Sequence, residues 1–241
     1  MLDRFPPETL EPGDVLCTND PWMGTGHVFD LTVMRPVFRG TEIVAYTISI
    51  SHLPDIGGVG YGTAGSEIYQ EGLRLPVCKL VDAGTVSETL IDLLRYNTRV
   101  PEQVIGDFMA NVNCNQIAGR ELLAFMEEYD LHQLDDLSSA IREQSEQAMR
   151  AKICALRDGV YQHSIQIEGF PDPITLACRI EIDGDSMHID YDGTDDSVPR
   201  GINAPYCFTN SYSLYAVKCL VGLTIPNNQG MMAPITVTCL L

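Results

Sequence analysis

Two short segments carry the side chains best suited to chemistry. The first reads Asn19-Asp20-Pro21-Trp22-Met23-Gly24-Thr25-Gly26-His27-Val28-Phe29-Asp30, and the second Ser51-His52-Leu53-Pro54-Asp55-Ile56-Gly57-Gly58. Each contains His-x-x-Asp, as His27/Asp30 and His52/Asp55. A lone copy is usually a histidine hydrogen-bonded to a neighbouring aspartate at a turn. Two copies that meet make a candidate metal site. Mixed imidazole and carboxylate ligation suits zinc, manganese or iron(II), and such an ion could activate water or polarise a carbonyl. Asp20 can join from its loop, or can serve only as a turn former before Pro21. In a third segment, residues 67–76, Arg74 presents a fork suited to a carboxylate or phosphate, or pairs internally with Glu71. The glycines of residues 57–65 permit tight turns. They do not form a phosphate loop, because no Gly-Lys-Ser/Thr follows. There is no Gly-x-Ser-x-Gly nucleophile motif.

Positioning these groups falls to the flanking strands. Residues 14–18 form a short strand after the turn Glu11-Pro12-Gly13. Residues 31–38 and 42–51 are rich in β-branched and aromatic residues and are joined by Arg39-Gly40-Thr41, so they predict a hairpin. Strands of similar length place residues 30 and 52 side by side at its open end, which would bring two imidazoles and two carboxylates together. Ser87 caps a helix with Leu90, Leu93 and Leu94 on one face. Pro101 opens a second helix reaching about residue 129, and residues 134–156 form a third. The short connection predicts that these two long helices form an antiparallel pair. Asn111, Asn113 and Asn115 are poor helix formers. Either they fray the helix or they face a polar cavity, where Asn115 is a candidate substrate-binding group. Residues 165–168, 174–183 and 186–191 return to strand, with Gly184-Asp185 as a hairpin turn, and residues 210–221 form a helix. The fold class expected is α+β, with β-hairpin and sheet layers flanking the long helix pair. The regions are 1–86 (β-rich, with the metal site), 87–158 (helical) and 159–241 (hairpin and helix). Strand structure begins almost at once, and residues 235–241 end the chain on an apolar strand. The expectation is one continuous, truncated domain of a longer protein.

The 241 residues carry 33 Asp and Glu against 15 Lys and Arg, a net charge of −18. Such a field repels a phosphate backbone, so nucleic acid is not an expected partner. No run approaches the roughly 18 unbroken apolar residues of a membrane span, and residues 1–7 have no signal-peptide pattern. Eight cysteines are scattered singly without a CxxC, most in apolar runs. They read as reduced thiols of a cytoplasmic protein.

The motifs together resemble the hydantoinase B/oxoprolinase family. The resemblance rests on Gly13-Asp14-Val15, Asn19-Asp20-Pro21, His27-Val28-Phe29-Asp30, the stretch from His52 to Gly58, and Glu67-Ile68-Tyr69-Gln70-Glu71-Gly72-Leu73-Arg74-Leu75-Pro76. Asn97-Thr98-Arg99-x-Pro101, Gly106-Asp107, Tyr191-x-Gly193-Thr194 and Tyr215-Ala216-x-Lys218 extend it to about residue 236. It implies the metal-bearing component of an ATP-dependent cyclic amide hydrolase of the hydantoinase/5-oxoprolinase type. That component works in a hetero-oligomer with a hydantoinase A-type partner that uses ATP. The implied metal is divalent, zinc or manganese, with ligands His52 and Asp55 first, then Asp30 and His27, then Asp20. His52 and Asp55 would also be catalytic, and Glu71, Arg74 and Asn115 would bind a small cyclic amide or carbonyl substrate. The alternatives are a carboxylase component of the acetone carboxylase type, or a non-catalytic fragment serving as an interaction module.

Overall fold

The structure is a computed structural model that describes residues 1–169 and 171–239. The chain divides into two compact units, one of Met1–Leu134 with Pro199–Ile202 and one made of the remainder. The boundary at Leu134 falls between the two long helices. The α+β class expected from the order of elements is the one found.

The first unit is built on a five-stranded antiparallel sheet. Its strands are β1 (Val15–Thr18), β2 (Asp30–Arg39), β3 (Glu42–His52), β4 (Cys78–Asp82) and β5 (Thr85–Val86), in the order β3-β2-β1-β4-β5. The β2–β3 hairpin closes through Gly40, whose φ of +65° suits a residue without a Cβ. Its register runs Val37↔Ala45, Leu31↔Ser51 and, at the open end, Asp30↔His52. Helix α1 (Glu88–Asn97) begins where the Ser87 hydroxyl accepts from the Leu90 N–H. Helix α2 (Pro101–Glu128) starts on its proline and ends before Asp130, which takes a left-handed φ of +53°. The core between sheet and helices contains Val15, Leu31, Val33, Leu53, Leu94 and Phe108.

Helix α2 lies on β2 and β3. Asn111 and Asn115 neither fray it nor face a cavity. The Asn111 amide donates to Ser51 Oγ at 2.7 Å, and the Asn115 amide donates to Ser49 Oγ at 2.9 Å and to the Val33 carbonyl at 3.1 Å. One i,i+4 helical step advances about 6 Å and one i,i+2 strand step about 6.6 Å. Two asparagines four apart therefore match two serines two apart. Asn113, off this face, is exposed.

The second unit has a four-stranded sheet, β6 (Gly159–Ile167), β7 (Ile174–Asp183), β8 (Ser186–Asp190) and β9 (Ile235–Thr238), in that order. Only the β8–β9 pair is parallel. Strand β6 begins at Gly159, earlier than the alternation at 165–168 suggests, because Tyr161, Gln162, His163 and Ser164 hide a strand pattern in polar residues. Helices α3 (Asp135–Cys154), α4 (Tyr206–Val221) and α5 (Gln229–Met232) complete the unit. Met149, Ile153, Ile189, Leu214 and Val237 form its core. Helix α3 packs on α5, β8 and α4, and α2 on its own sheet. The principal packing of the two long helices is thus within their own units, whereas their short link suggests each other as partner. Residues 240 and 241, at the end of the apolar tail, lie outside the described residues. No disulfide joins the cysteines among the described residues.

Replacing Asn115 with Ala should remove two buried hydrogen bonds and leave Ser49 and the Val33 carbonyl short of a donor. The expected cost is about 2 kcal/mol, read as a lower urea midpoint with an unchanged denaturant slope.

Candidate metal site

Asp30 is the first residue of β2 and His52 the last of β3, and they share one rung. Opposite residues of an antiparallel pair carry their side chains on the same face. His52 Nδ1 accordingly sits 3.0 Å from Asp30 Oδ1. His27, three residues before Asp30, brings Nε2 to 3.4 Å from Asp30 Oδ2. Thr25 donates its hydroxyl to the same oxygen. His27, Asp30 and His52 each offer a ligand atom, all within 4.8 Å of one another, and theirs is the one such group among the described residues.

Aromatic packing fixes the imidazoles. The buried Phe29 ring stacks on His52 with centroids 5.5 Å apart and an angle of 15°. His27 meets His52 edge-on at 5.2 Å. The loop that carries His27 is tied down by Asn19, which is buried. Its amide donates to the carbonyls of Val28 and Leu73, at 2.7 and 3.0 Å, and its oxygen accepts from the Leu75 N–H at 2.6 Å. As sequence Asn19 is a loop residue. Only the fold shows it to be a strut between segments more than fifty positions apart.

The other candidate residues are placed apart from this group. Asp55 is buried and its carboxylate is fully engaged: Arg99 donates from its backbone N–H and from Nη1 at 2.8 Å, and Gly57 N–H donates at 3.0 Å. Burial pushes this carboxyl up, but those hydrogen bonds and the Arg99 charge outweigh it and hold it below its ordinary value. Asp55 and Arg99 pin the glycine loop, since Arg99 also reaches the Gly57 and Gly58 carbonyls. A Cβ on Gly58, at φ +61°, would collide with the Gln70 carbonyl, so the loop crosses residues 70–72 at backbone contact. Asp20 accepts from the Trp22 N–H at 3.0 Å and shapes the turn after β1. Arg74 lies over the Trp22 ring, 5.5 Å from its centroid, as a cation–π contact rather than a pair with Glu71. Asn115 is taken up in the helix-to-sheet bonds. Glu71 is half-buried. Burial pushes its carboxyl above the ordinary value and the His27 charge opposes that shift, so it is the candidate outside the group that senses it.

A model of the hydantoinase B/oxoprolinase family matches residues 1–240. The chain belongs to this family. It is 31% identical to 5-oxoprolinase of Saccharomyces cerevisiae over 95% of its own length and 19% of that protein. It is 28% identical to the B component of a putative D-/L-hydantoinase of Pseudomonas sp., over 98% of its length and 43% of that protein. Among solved structures, the ATP-dependent caprolactamase from Pseudomonas jessenii matches with a TM-score of 0.89 and 29% identity, over 98% of this chain and 42% of that one. The chain therefore spans less than half the length of these family members. No helix among its described residues is long and apolar enough to cross a membrane.

The structure also brings to the site residues that sequence reasoning does not place there. Thr25 and Tyr61 touch it, and Asn19 and Arg99 brace it. Thr25 and Asn19 stand inside the first metal-site segment and Arg99 inside Asn97-Thr98-Arg99. Tyr61 is the one aromatic residue of the glycine-rich stretch.

Replacing Asp55 with Ala should lower stability by about 3 kcal/mol, since it strips a buried acceptor from several donors. Because the folded carboxyl titrates below the unfolded one, its contribution is present above the unfolded carboxylate range, about pH 4. It is lost as pH falls through the lower folded value. Wild type should thus lose more stability on acidification below about pH 4 than the variant, whereas metal uptake by the folded variant should survive.

Proposed function

We propose that this chain is the metal-bearing component of an ATP-dependent hydrolase of cyclic amides, acting with a hydantoinase A-type partner that uses ATP. The observation that carries the reading is the His27–Asp30–His52 group. Two imidazole nitrogens and a carboxylate oxygen are a donor set for zinc, manganese or iron(II). His27 turns Nε2 toward the Asp30 carboxylate at 3.4 Å, so this nitrogen is the donor it offers to the group. Three protein donors also leave coordination positions open, as catalytic sites do. The relatives supply the reaction class: a 5-oxoprolinase, a component of a putative D-/L-hydantoinase and an ATP-dependent caprolactamase.

His27, Asp30 and His52 would hold the ion. When bound, a divalent metal supplies a Lewis acid that polarises the amide carbonyl and makes water acidic enough to act as a nucleophile near neutral pH. The rest of the work falls to this chain's own side chains. Asp30 is kept in place by the Thr25 hydroxyl and the His52 ring, so its carboxylate needs little reorganisation to bind a cation. Phe29 stacks on one face of His52 and excludes water there. Glu71, half-buried where the glycine loop crosses residues 70–72, is the candidate for orienting a polar group of the substrate. Arg74, held over Trp22, is the candidate for a carboxylate or phosphate oxygen.

Elemental analysis after equilibration with zinc or manganese tests this reading. Wild type should hold close to one ion per chain. His52→Ala and Asp30→Asn should each weaken uptake beyond the roughly 10–100-fold that loss of an outer-shell partner costs. With an ATP-using partner, ring opening should fall in parallel. Full metal retention in both variants would sink the proposal.

A further inference from the structure

Tyr61 has no part in holding the ion, yet it touches three rings of the site. Its ring centroid lies 5.5 Å from that of His52, 6.0 Å from His27 and 5.5 Å from Phe29. The three interplanar angles are 82°, 84° and 89°. Edge-to-face contacts of this kind are attractive and directional, and three at once fix the ring beside the metal-binding group. Its loop is also pinned close by: the Val59 N–H donates to the Gln70 carbonyl at 2.8 Å, and Arg99 holds the Gly57 and Gly58 carbonyls. Despite these contacts Tyr61 is 74% exposed. A large ring is thus held in place with most of its surface in water, directly beside a polar cluster. A ligand that reaches donors from both His27 and His52 must come within about a ring's width of it.

We infer that Tyr61 is a specificity-determining residue of this site, whose ring packs against the flat ring of a cyclic amide bound there. The inference rests on the proposed function and adds the feature that favours cyclic over open-chain amides. A planar lactam or hydantoin ring would cover the exposed aromatic surface and regain the transfer energy that exposure forgoes. A small open-chain amide covers much less of it. The ring, rather than the hydroxyl, makes every observed contact, so phenylalanine should serve equally well.

The test is titration calorimetry of the zinc-loaded chain with hydantoin and with acetamide, for wild type, Tyr61→Phe and Tyr61→Ala. Metal content, measured alongside, should be the same in all three. Wild type and Tyr61→Phe should prefer hydantoin by similar ratios, within about 2-fold. In Tyr61→Ala the preference should fall by about 10-fold, through weaker hydantoin binding, the scale expected for losing one aromatic contact surface. An unchanged preference in a metal-loaded Tyr61→Ala overturns the role of Tyr61 and leaves the hydrolase reading standing. Loss of preference in Tyr61→Phe also overturns the ring-packing role. If zinc-loaded wild type binds neither probe, the cyclic-amide reading fails and this inference fails with it.

Discussion

The rung that pairs Asp30 with His52 is the constraint on which the site depends. Side chains alternate faces along a strand, so a slip of one residue would send one of the two to the opposite side of the sheet. The register is set far from the site. From Asp30 to Val37 the paired residue numbers sum to 82, as in Asp30↔His52 and Val37↔Ala45. Beyond an irregularity at Val37/Phe38 they sum to 81, as in Arg39↔Glu42. Without that extra residue beside the turn, Asp30 would face Ser51. A local bulge about 25 Å along the strand therefore decides which side chain joins the carboxylate. The bonds from Asn111 to Ser51 and from Asn115 to Ser49 hold the same register from above.

The second organising feature is how a strongly acidic chain uses its few cations. Lys79 serves the buried Asp14 together with Asp82, and Arg99 serves the buried Asp55. Both aspartates also accept backbone N–H groups, and both titrate below their ordinary values even though burial pushes them up. They brace the sheet edge and the glycine loop. Asp30 has a different environment. Its side-chain partners among the described residues are a threonine hydroxyl and two imidazoles, with no arginine or lysine. A carboxylate surrounded by groups that can themselves turn to a cation is suited to ligation, whereas one clamped by guanidinium and amides is suited to support.

The two His-x-x-Asp motifs are alike as sequence and unlike as structure. In the first, a short loop turns His27 back toward Asp30, and both face the same space. In the second, the chain after His52 dives into the core at Leu53 and Ile56, both fully buried. That carries Asp55 inward to Arg99. No spacing rule distinguishes the two, because the difference lies in where the following apolar residues are buried. Asn115 shows the same limit. Its low helix propensity is visible in the sequence and its direction is not, since that depends on the serines of β3.

By itself the sequence determined the α+β class, the β2–β3 hairpin with residues 30 and 52 at its mouth, the helix starts at Ser87 and Pro101, and the family motifs. These follow from local physics: alternation, capping, proline placement and turn residues act over a few neighbours. Tertiary structure alone decided which aspartate stands with the histidines, what Asn19 and Asn115 hold together, and where the long helices find their partners. It also placed Tyr61 against His27, His52 and Phe29. Each of these depends on contacts between segments tens of residues apart, where packing and the burial of polar groups choose among arrangements that local pattern leaves equal.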